Sequence, residues 1–522
     1  MRKIFLTFTA LLFGVPFVCA QSWQFVGPRA MGMGGAGVAT AYGPDAQYWN
    51  PAGLAQEEDV NETGVLINAG VSLESTKNVL EAVSNLTDIS KQYNKLVDDI
   101  DSNANISAQD INTIFTGLND ISKVVGKNTG ALVNTDVGLG IKIKNFSISA
   151  RSLGTASILP VVDTKNIQFN SGGAGVQVGN PSASLTPANQ TTAEKLAAAI
   201  DAHDLFTSLK TLLNATTCSN SLQLATALID AAASYGVSEE EIAKYIGGSI
   251  SNMGGAAEII KLAGSSTGSY KDNETVAMAD AAAFGEVSLG YGMKVYKGVK
   301  VGANVKVISG YTAQNGILLL QDNEKVEDIL DKAKDNKKNT TNLAVDLGTL
   351  VNFSQLLERD IFLNPQVGLT ARNINGPKFD RPDLPAGTDP AIAANWRTDK
   401  YQLKPQLRAG AAINPAKWMT LAADLDITEN DTLLKGIKSR QFALGAEFNL
   451  VNKPKFNIPL RIGYNTNLAT SEMSPFYTAG IGFNMIHFFV EISGAVSNKT
   501  NKVDGKDIPS SAGASLAIGL LF

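Results

Sequence analysis

The chain has 522 residues, of which 49 are acidic, 44 are basic, two are histidines and two are cysteines. A net charge of −5 provides no basic surface for nucleic acid, and the small number of histidines and cysteines argues against a metal site. We therefore expect no nucleic-acid partner, no metal and no cofactor. The 48 glycines and 18% charged residues are typical of many strands with a polar lumen and an apolar outside, although a large secreted β-protein has the same bulk composition.

The first twenty residues form a predicted secretory signal peptide. Arg2 and Lys3 precede an apolar run that ends at a small-x-small site, Val18-Cys19-Ala20. Polar residues and a proline interrupt the run, which makes it too short for a transmembrane anchor. Because Val18 is larger than the residue that usually precedes a lipidated cysteine, we expect cleavage after Ala20 rather than lipidation.

The C-terminal segment, Ser511 to Phe522, alternates apolar residues with small ones and ends on an aromatic residue. Such alternation places one face of a strand against lipid. A terminal phenylalanine on such a strand resembles the signal that the bacterial barrel-assembly machinery reads. We therefore expect Phe522 to be an assembly signal, with that machinery and outer-membrane lipid as partners.

Similar segments recur through the chain, and their connections alternate between long and short. This pattern predicts an all-β fold, a transmembrane antiparallel β-barrel of about 14 strands over residues 62–522, with long extracellular loops and tight periplasmic turns. Strands are predicted near 62–73, 135–143, 145–158, 282–294, 298–310, 341–353, 361–373, 404–414, 417–427, 440–450, 456–466, 475–484, 487–498 and 511–522.

Two long loops, 74–134 and 159–281, are predicted to be helical extracellular insertions. In the first, apolar residues recur at helical spacing over 76–101 and again after Ser107. In the second, capping-box-like starts occur at Thr191 and Ser238. The helices of the larger insertion either pack on one another as an external cap or shape a ligand entrance, and the sequence leaves both readings open.

Residues 27–54 carry the segments Arg-Ala-x-Gly-x-Gly-Gly-Ala and Asn-Pro-Ala. This stretch resembles the N-terminal plug of the FadL-like outer-membrane proteins, and most of all the TraF-like branch, with PorV-type secretion proteins as cousins. The resemblance implies that residues 21–61 form a plug, or hatch, in the lumen and that hydrophobic substrates enter from outside. It assigns the plug motif to Arg29, Gly32, Gly34, Gly35, Gly37, Asn50, Pro51 and Ala52.

Gly32, Gly34 and Gly37 also spell a G-x-G-x-x-G motif, but no buried strand precedes it and Gly43-Pro44 would break a following helix, so a dinucleotide site is rejected. Close packing of backbone against a barrel wall explains the glycines better. We also expect no catalytic residues. His487 lies beside a predicted periplasmic turn, away from the extracellular loops, and His203 lies in a predicted helix with no nucleophile motif. Lumen carboxylates are expected to pair with lumen cations.

Three functions remain open. The first is a plugged channel for small hydrophobic molecules, and the second is a non-transporting envelope barrel that anchors or escorts a conjugation or secretion complex. The third, an outer-membrane hydrolase, is the least favoured, and we expect the protein not to be an enzyme. An apolar pocket near Phe25, Met31, Met33 and Trp49 would favour the channel, whereas tight closure of the lumen would favour the anchor.

Overall fold

In this computed structural model the fourteen long strands form one closed antiparallel barrel, in which the last strand pairs with the first. The residues described are 23–56, 63–76, 79, 108–122, 129–168, 185–213, 215–233, 237–266, 268–269, 272–319, 337–453, 455–503 and 506–522. The predicted signal peptide and most of the helix predicted over 76–101 lie outside them.

Each of the fourteen predicted strands is found, so the predicted fold class is confirmed. The strands, numbered β1 to β14, are Thr63–Ser75, Ala131–Ile143, Phe146–Val161, Val276–Tyr296, Val299–Leu318, Lys338–Asn352, Gln366–Arg372, Gln406–Ala416, Met419–Asp426, Gln441–Lys453, Phe456–Asn467, Phe476–Met485, Phe488–Val496 and Ser511–Leu521.

The two ends of the barrel differ in their connections. At one, called the turn end, β2–β3, β4–β5, β8–β9, β10–β11 and β12–β13 are joined by two residues each. The exception is β6–β7, joined by residues 353–365, which include the short helix Phe353–Leu356. This turn is longer than predicted because the chain bends at Glu358, Leu363 and Asn364, all with positive φ, before β7 begins. The other end is called the loop end.

The outer face of the barrel is apolar, since alternate residues along the strands expose large hydrophobic side chains such as Ile67, Leu139, Val287 and Leu343. Aromatic side chains cluster on this face at the turn end, as in the girdles of membrane barrels. They include Phe146, Tyr291, Tyr296, Trp418, Phe483, Phe488 and Phe522. No helix among the described residues is long and apolar enough to span a membrane.

Short helices precede the barrel, and longer ones cover part of its loop end. The N-terminal segment forms α1 (Pro28–Gly32), α2 (Ala46–Trp49) and a 3-10 helix (Pro51–Ala55). The helices of the two long insertions, together called the cap, are α3 (Ala108–Ser122), α4 (Pro187–Ala202), α5 (Phe206–Leu212), α6 (Ser221–Ala233) and α7 (Glu239–Ser265). They share one apolar core, which continues onto barrel residues Ala131, Ile158 and Ala277.

The predicted helix starts in the cap had mixed outcomes. Ser238 and Glu241 form the predicted capping box of α7. The start predicted at Thr191 is wrong, because α4 begins at Pro187 with Thr186 as its cap. Thr191 lies inside the helix, where its hydroxyl donates to the Pro187 carbonyl one turn earlier.

Asp163 lies where the cap joins the barrel. Burial alone would raise its pKa, but hydrogen bonds from the backbone N–H groups of Glu274 (3.1 Å), Lys165 (2.8 Å) and Asn166 (3.3 Å), and from the Asn166 side chain, hold it below its ordinary value of 3.8. A carboxylate with a lowered pKa stabilises the folded form above the unfolded pKa, and that stabilisation is lost as the pH falls through the folded pKa.

We therefore expect Asp163→Ala to increase proteolytic cleavage at the cap junction by about tenfold at neutral pH, since hydrogen bonds to a charged group are lost. Limited proteolysis followed by mass spectrometry measures this. The wild-type chain should reach the same susceptibility only below pH 3.8. Equal cleavage of both chains at neutral pH would contradict the role given to Asp163.

Phe522 is half-exposed, and its ring stacks on His487 with centroids 4.7 Å apart. Its backbone N–H donates to the Thr63 carbonyl (2.7 Å), across the seam between β14 and β1. Burial of one phenylalanine stabilises by only about 1.5–3 kcal/mol. We expect deletion of Phe522 to reduce the amount of assembled barrel far more than the loss of this burial energy would explain. Heat-modifiable mobility in gels measures the assembled fraction. Normal insertion of the truncated chain would contradict the predicted assembly signal.

Candidate functional site

The lumen contains the N-terminal segment of the chain, residues 23–56, which we call the plug. Every described plug residue is buried except Arg29, Tyr42, Asp45 and Gln56, which are partly buried. The plug contacts the wall through polar groups as well as apolar ones. On β9, Asp424 accepts hydrogen bonds from the backbone N–H groups of Gly37 and Val38, both 2.9 Å. Thr478 of β12 accepts a hydrogen bond from the Gly34 N–H, and Asn465 of the neighbouring β11 donates one to the Gly34 carbonyl.

Ion pairs join partly buried plug residues to buried wall residues on two sides of the barrel. Arg29 donates to Glu447 (3.0 Å), which also pairs with Arg461 (2.7 Å) of the wall. On the opposite side of the barrel from Glu447, Asp45 pairs with Arg151 of β3 (2.9 Å). Removing one partner of a buried ion pair is strongly destabilising because the other charge stays buried. These contacts therefore hold the plug in one position.

The Asn-Pro-Ala element lies against the wall near the turn end. The Asn50 side chain accepts a hydrogen bond from Ala52 and donates to the carbonyls of Val38 and Thr349. Pro51 occupies the first turn of the 3-10 helix, where its missing N–H has no cost. The element lies on wall glycines, because a Cβ at Gly302 or Gly348 would fall within 3 Å of Pro51.

The glycine-rich stretch of the plug packs closely on its surroundings. Gly34 has a φ of +68°, and a Cβ there would fall within 3 Å of the backbone of Tyr464 and Leu444. Gly32 lies against Arg461 and Gly480, and Gly35, with a φ of +92°, lies against Phe25. Gly37 instead packs on the Trp49 ring within the plug. Glycine is needed at Gly34 for close approach of backbone to backbone, and at Gly37 for close approach of the Trp49 ring.

The four residues predicted to line a ligand pocket are not brought together. Phe25 and Met31 pack on Phe476 of β12, whereas Met33 packs among alanines of β8, β9 and β10. Trp49 belongs to a third cluster, where it stacks on Trp23 with ring centroids 5.9 Å apart. All four are buried side chains.

A small cavity lies between the plug and the wall formed by β12, β13, β14 and β1. It measures about 70 Å³, and of the four predicted pocket residues only Trp49 lines it. Its polar lining includes Arg29, Tyr42, Asp45, Asn484 and Glu491. Ligand pockets are several times larger, about 300–1,000 Å³, so this cavity has room for waters rather than for a substrate.

Two loops from the loop end, residues 373–405 and 428–440, fold against the plug, and together we call them the lid. Their buried residues Phe379, Tyr401, Leu403, Leu433, Leu434 and Ile437 form one apolar cluster with Trp23 and Trp49 of the plug. Arg381 of the lid is buried and pairs with Asp280 of β4 (2.8 Å), which Arg397 also approaches (3.5 Å).

The inner wall behind the lid is apolar over five neighbouring strands, β2 to β6. This apolar band consists of Leu132, Leu153, Ala282, Phe284, Ile308 and Ala344. The Phe379 ring lies 4.5 Å from that of Phe284, in the space that the missing side chain of Gly310 leaves free. Water-filled lumens are lined by polar residues, so an apolar band marks a different kind of surface.

Residues 47–426 match the family described as "F plasmid transfer operon, TraF, protein", which is most of the chain. The chain belongs to this family. No curated protein matches it.

The solved structures to which this TraF-family barrel is similar include two toluene transporters and a FadL homologue. The Ralstonia pickettii toluene transporter TbuX is 12% identical over 95% of this chain and 98% of its own, with a TM-score of 0.40. The P. putida toluene transporter TodX is 8% identical (96% and 99% covered, TM-score 0.39). A Pseudomonas aeruginosa FadL homologue is 9% identical (97% and 99% covered, TM-score 0.37).

Sequence reasoning about the TraF-family barrel missed the lid and the wall glycines. The glycines on which the plug lies, Gly302, Gly348, Gly368, Gly410, Gly445 and Gly463, all occupy inward-facing positions of their strands. In a strand whose apolar and polar residues alternate, a glycine at an inward-facing position indicates that another backbone segment approaches closely there. Lumen carboxylates paired as expected, Asp426 with Arg408 and Glu491 with Arg461, whereas Lys300 bonds Gln56.

Substitution of Gly302 by valine is expected to prevent the plug of the TraF-family barrel from docking, because its side chain would overlap the backbone of Pro51 and Ala52. Overpacking against backbone cannot be relieved by a rotamer change. Protease cleavage of the plug, mapped by mass spectrometry, should become readily detectable. Gly494→Val on the outer face of β13 is the control, since a Cβ there would meet only the Gly513 carbonyl, at 3.8 Å. An uncleaved plug in Gly302→Val would show that the contact is dispensable.

Proposed function

We propose that the protein is a plugged outer-membrane β-barrel for the passage of small hydrophobic molecules. The observation that carries the proposal is the apolar band, a stretch of inner wall made for apolar contacts on strands that also point many polar and charged side chains into the lumen. The apolar outer face and its aromatic girdle support the location in a membrane. The toluene transporters named above are similar only in outline and carry no part of the argument.

The lid occupies the apolar band in this state. Phe379 lies on Gly310 and Phe284 as a ligand ring would. Tyr401 packs on Phe284 too, with ring centroids 5.4 Å apart. An aromatic or alkyl molecule of similar size gains the same burial if it replaces Phe379, at about 25 cal/mol per Å² of apolar surface. Passage then requires movement of the lid first and of the plug afterwards.

Binding can be tested with bromobenzene, a heavy-atom quencher of tryptophan fluorescence, on the purified full-length barrel. The chain has four tryptophans, and Trp418 is exposed on the outer face at the turn end, so a Trp418→Phe background removes quenching from detergent. The remaining reporters, Trp23, Trp49 and Trp396, are buried in the plug or lid.

We expect saturable quenching in this background and its loss in Phe284→Asp, which places a charge in the apolar band. Ala495→Asp, on the inner face of β13 beside Phe25, is the matched control and should still bind. Quenching that rises linearly without saturation, equally in all three proteins, would overturn the proposal.

The second candidate is a non-transporting barrel that anchors or escorts an envelope complex. Two observations favour it, namely the family description, which refers to a plasmid transfer operon, and the cap, a helical body at the loop end whose apolar core is continuous with the barrel. A chain lacking the cap separates the two functions. If the barrel is a channel, the chain without the cap should still bind bromobenzene. If the barrel is an anchor, neither chain should bind bromobenzene, and the anchoring role should be lost with the cap.

A further inference from the structure

The rim of the barrel at the turn end combines basic and aromatic residues at successive turns. Lys144, Lys297, Lys417 and Lys455 each lie in one of the two-residue turns, and Arg359 lies in the longer turn between β6 and β7. All five are exposed. An aromatic residue lies within three positions of each: Phe146, Tyr296, Trp418, Phe456 and Phe362.

The aromatic partners of these basic residues continue the apolar outer face. Phe146, Tyr296 and Trp418 expose 58%, 62% and 52% of their surface, and Phe362 exposes 83%. Phe362 therefore has no packing role that would explain it, and a lone phenylalanine in water is unfavourable. Amphipathic rings at this level are typical of the boundary between acyl chains and headgroups.

The basic residues at this rim have few acidic neighbours. Only Glu358 and Asp360 accompany them among the described turn residues, and Glu358 pairs with Lys297. Lys144, Lys417 and Lys455 form no ion pair with the part of the chain described. At the loop end, by contrast, Lys338, Lys400, Lys404 and Lys438 each pair with an acidic residue of the chain. Four acidic residues between positions 57 and 62 precede β1, outside the described residues.

We propose that the turn-end rim binds the headgroups of anionic phospholipids, a proposal that rests on the membrane location given above. The rim is continuous with the lipid-facing surface, and its free ammonium groups complement a phosphate or phosphatidylglycerol headgroup. Each basic residue near an anionic membrane surface favours such a lipid by about fivefold. The aromatic side chains hold the acyl chains below the headgroups.

The test uses the full-length protein in symmetric vesicles, so that the direction of insertion does not matter. Trp418 follows Lys417 directly and reports the lipid beside it, and subtraction of the Trp418→Phe signal isolates it. One vesicle mixture contains dibrominated phosphatidylglycerol with plain phosphatidylcholine, and the other contains the reverse. We expect brominated phosphatidylglycerol to quench Trp418 more strongly, with a relative affinity of about threefold to fivefold, and the difference to disappear in 0.5 M salt.

The triple variant K144Q/K417Q/K455Q should abolish this preference while its barrel stays folded, as judged by heat-modifiable mobility. K404Q/K435Q/K438Q at the loop end removes the same charge and should keep the preference. Equal quenching in the two mixtures, with strong quenching in both, would overturn the proposal and leave the rim free for a protein partner. Loss of the preference in the loop-end variant would overturn it also, because net charge alone would then explain it. Absence of quenching in both would contradict the membrane location itself.

Discussion

Deleting residues 29–53 is expected to raise single-channel conductance in planar bilayers by roughly an order of magnitude, because a lumen of fourteen strands is wide enough to hold water. In the intact chain this segment provides the ion pairs of Arg29 and Asp45 with the wall. It also provides Trp49, which packs within the same cluster as the lid. The deletion therefore removes the plug and weakens the packing of the lid.

Cells that carry the deletion should also become sensitive to large antibiotics such as vancomycin. The wall groups left behind, among them Glu447, Arg461 and Asp424, are polar and would be solvated in an open lumen, so the barrel itself should persist. Heat-modifiable mobility controls for folding. Unchanged conductance and antibiotic sensitivity in a folded deletion variant would show that these residues do not close the lumen, and would favour the anchoring function.

Asp280→Ala is expected to release the lid, with a cost to lid closure of about 3–5 kcal/mol, because the buried guanidinium of Arg381 loses its buried partner and keeps only the longer contact with the exposed Asp399 (3.9 Å). Both Asp280 oxygens lie within 3.0 Å of the Arg381 Nη1 atom, and the Arg381 side chain is only 1% exposed. Limited proteolysis at residues 381–400 measures the release, and cleavage should increase at least a hundredfold.

Asp383→Ala is the matched control for this prediction. Asp383 lies two residues from Arg381, but its side chain is 85% exposed where it pairs with Lys338. Exposed ion pairs contribute little because water screens the two charges, so cleavage should change little. If Asp280→Ala and Asp383→Ala were cleaved alike, the buried pair would not be what holds the lid.

The wall was predictable from the sequence because one residue in two faces lipid. That alternation persists through β13 and β14, where outward Ile492, Leu516 and Ile518 oppose inward serines and glycines. The helix periodicity after Ser107 was equally clear, and α3 is found there. Such local signals need no knowledge of the tertiary structure.

The contents of the lumen were less predictable. The resemblance identified the plug segment, but nothing local shows that Met33 and Phe25 contact different strands, because plug contacts reach across the barrel. At the positions of the lid the sequence predicts only long extracellular loops. Its apolar residues, such as Phe379 and Leu434, were a signal in an otherwise polar stretch, yet only the tertiary fold brings them to the apolar band.

Uptake of N-phenyl-1-naphthylamine by cells with an intact lipopolysaccharide layer tests the central claim most directly. This apolar dye is excluded by that layer and fluoresces once it reaches phospholipid. The account predicts a faster initial uptake in cells that express the wild-type barrel than in cells that do not, a loss of the gain in Phe284→Asp, and no added sensitivity to vancomycin. Equal uptake with and without the barrel, when the folded protein is present in the outer membrane, would contradict a role in the passage of hydrophobic molecules.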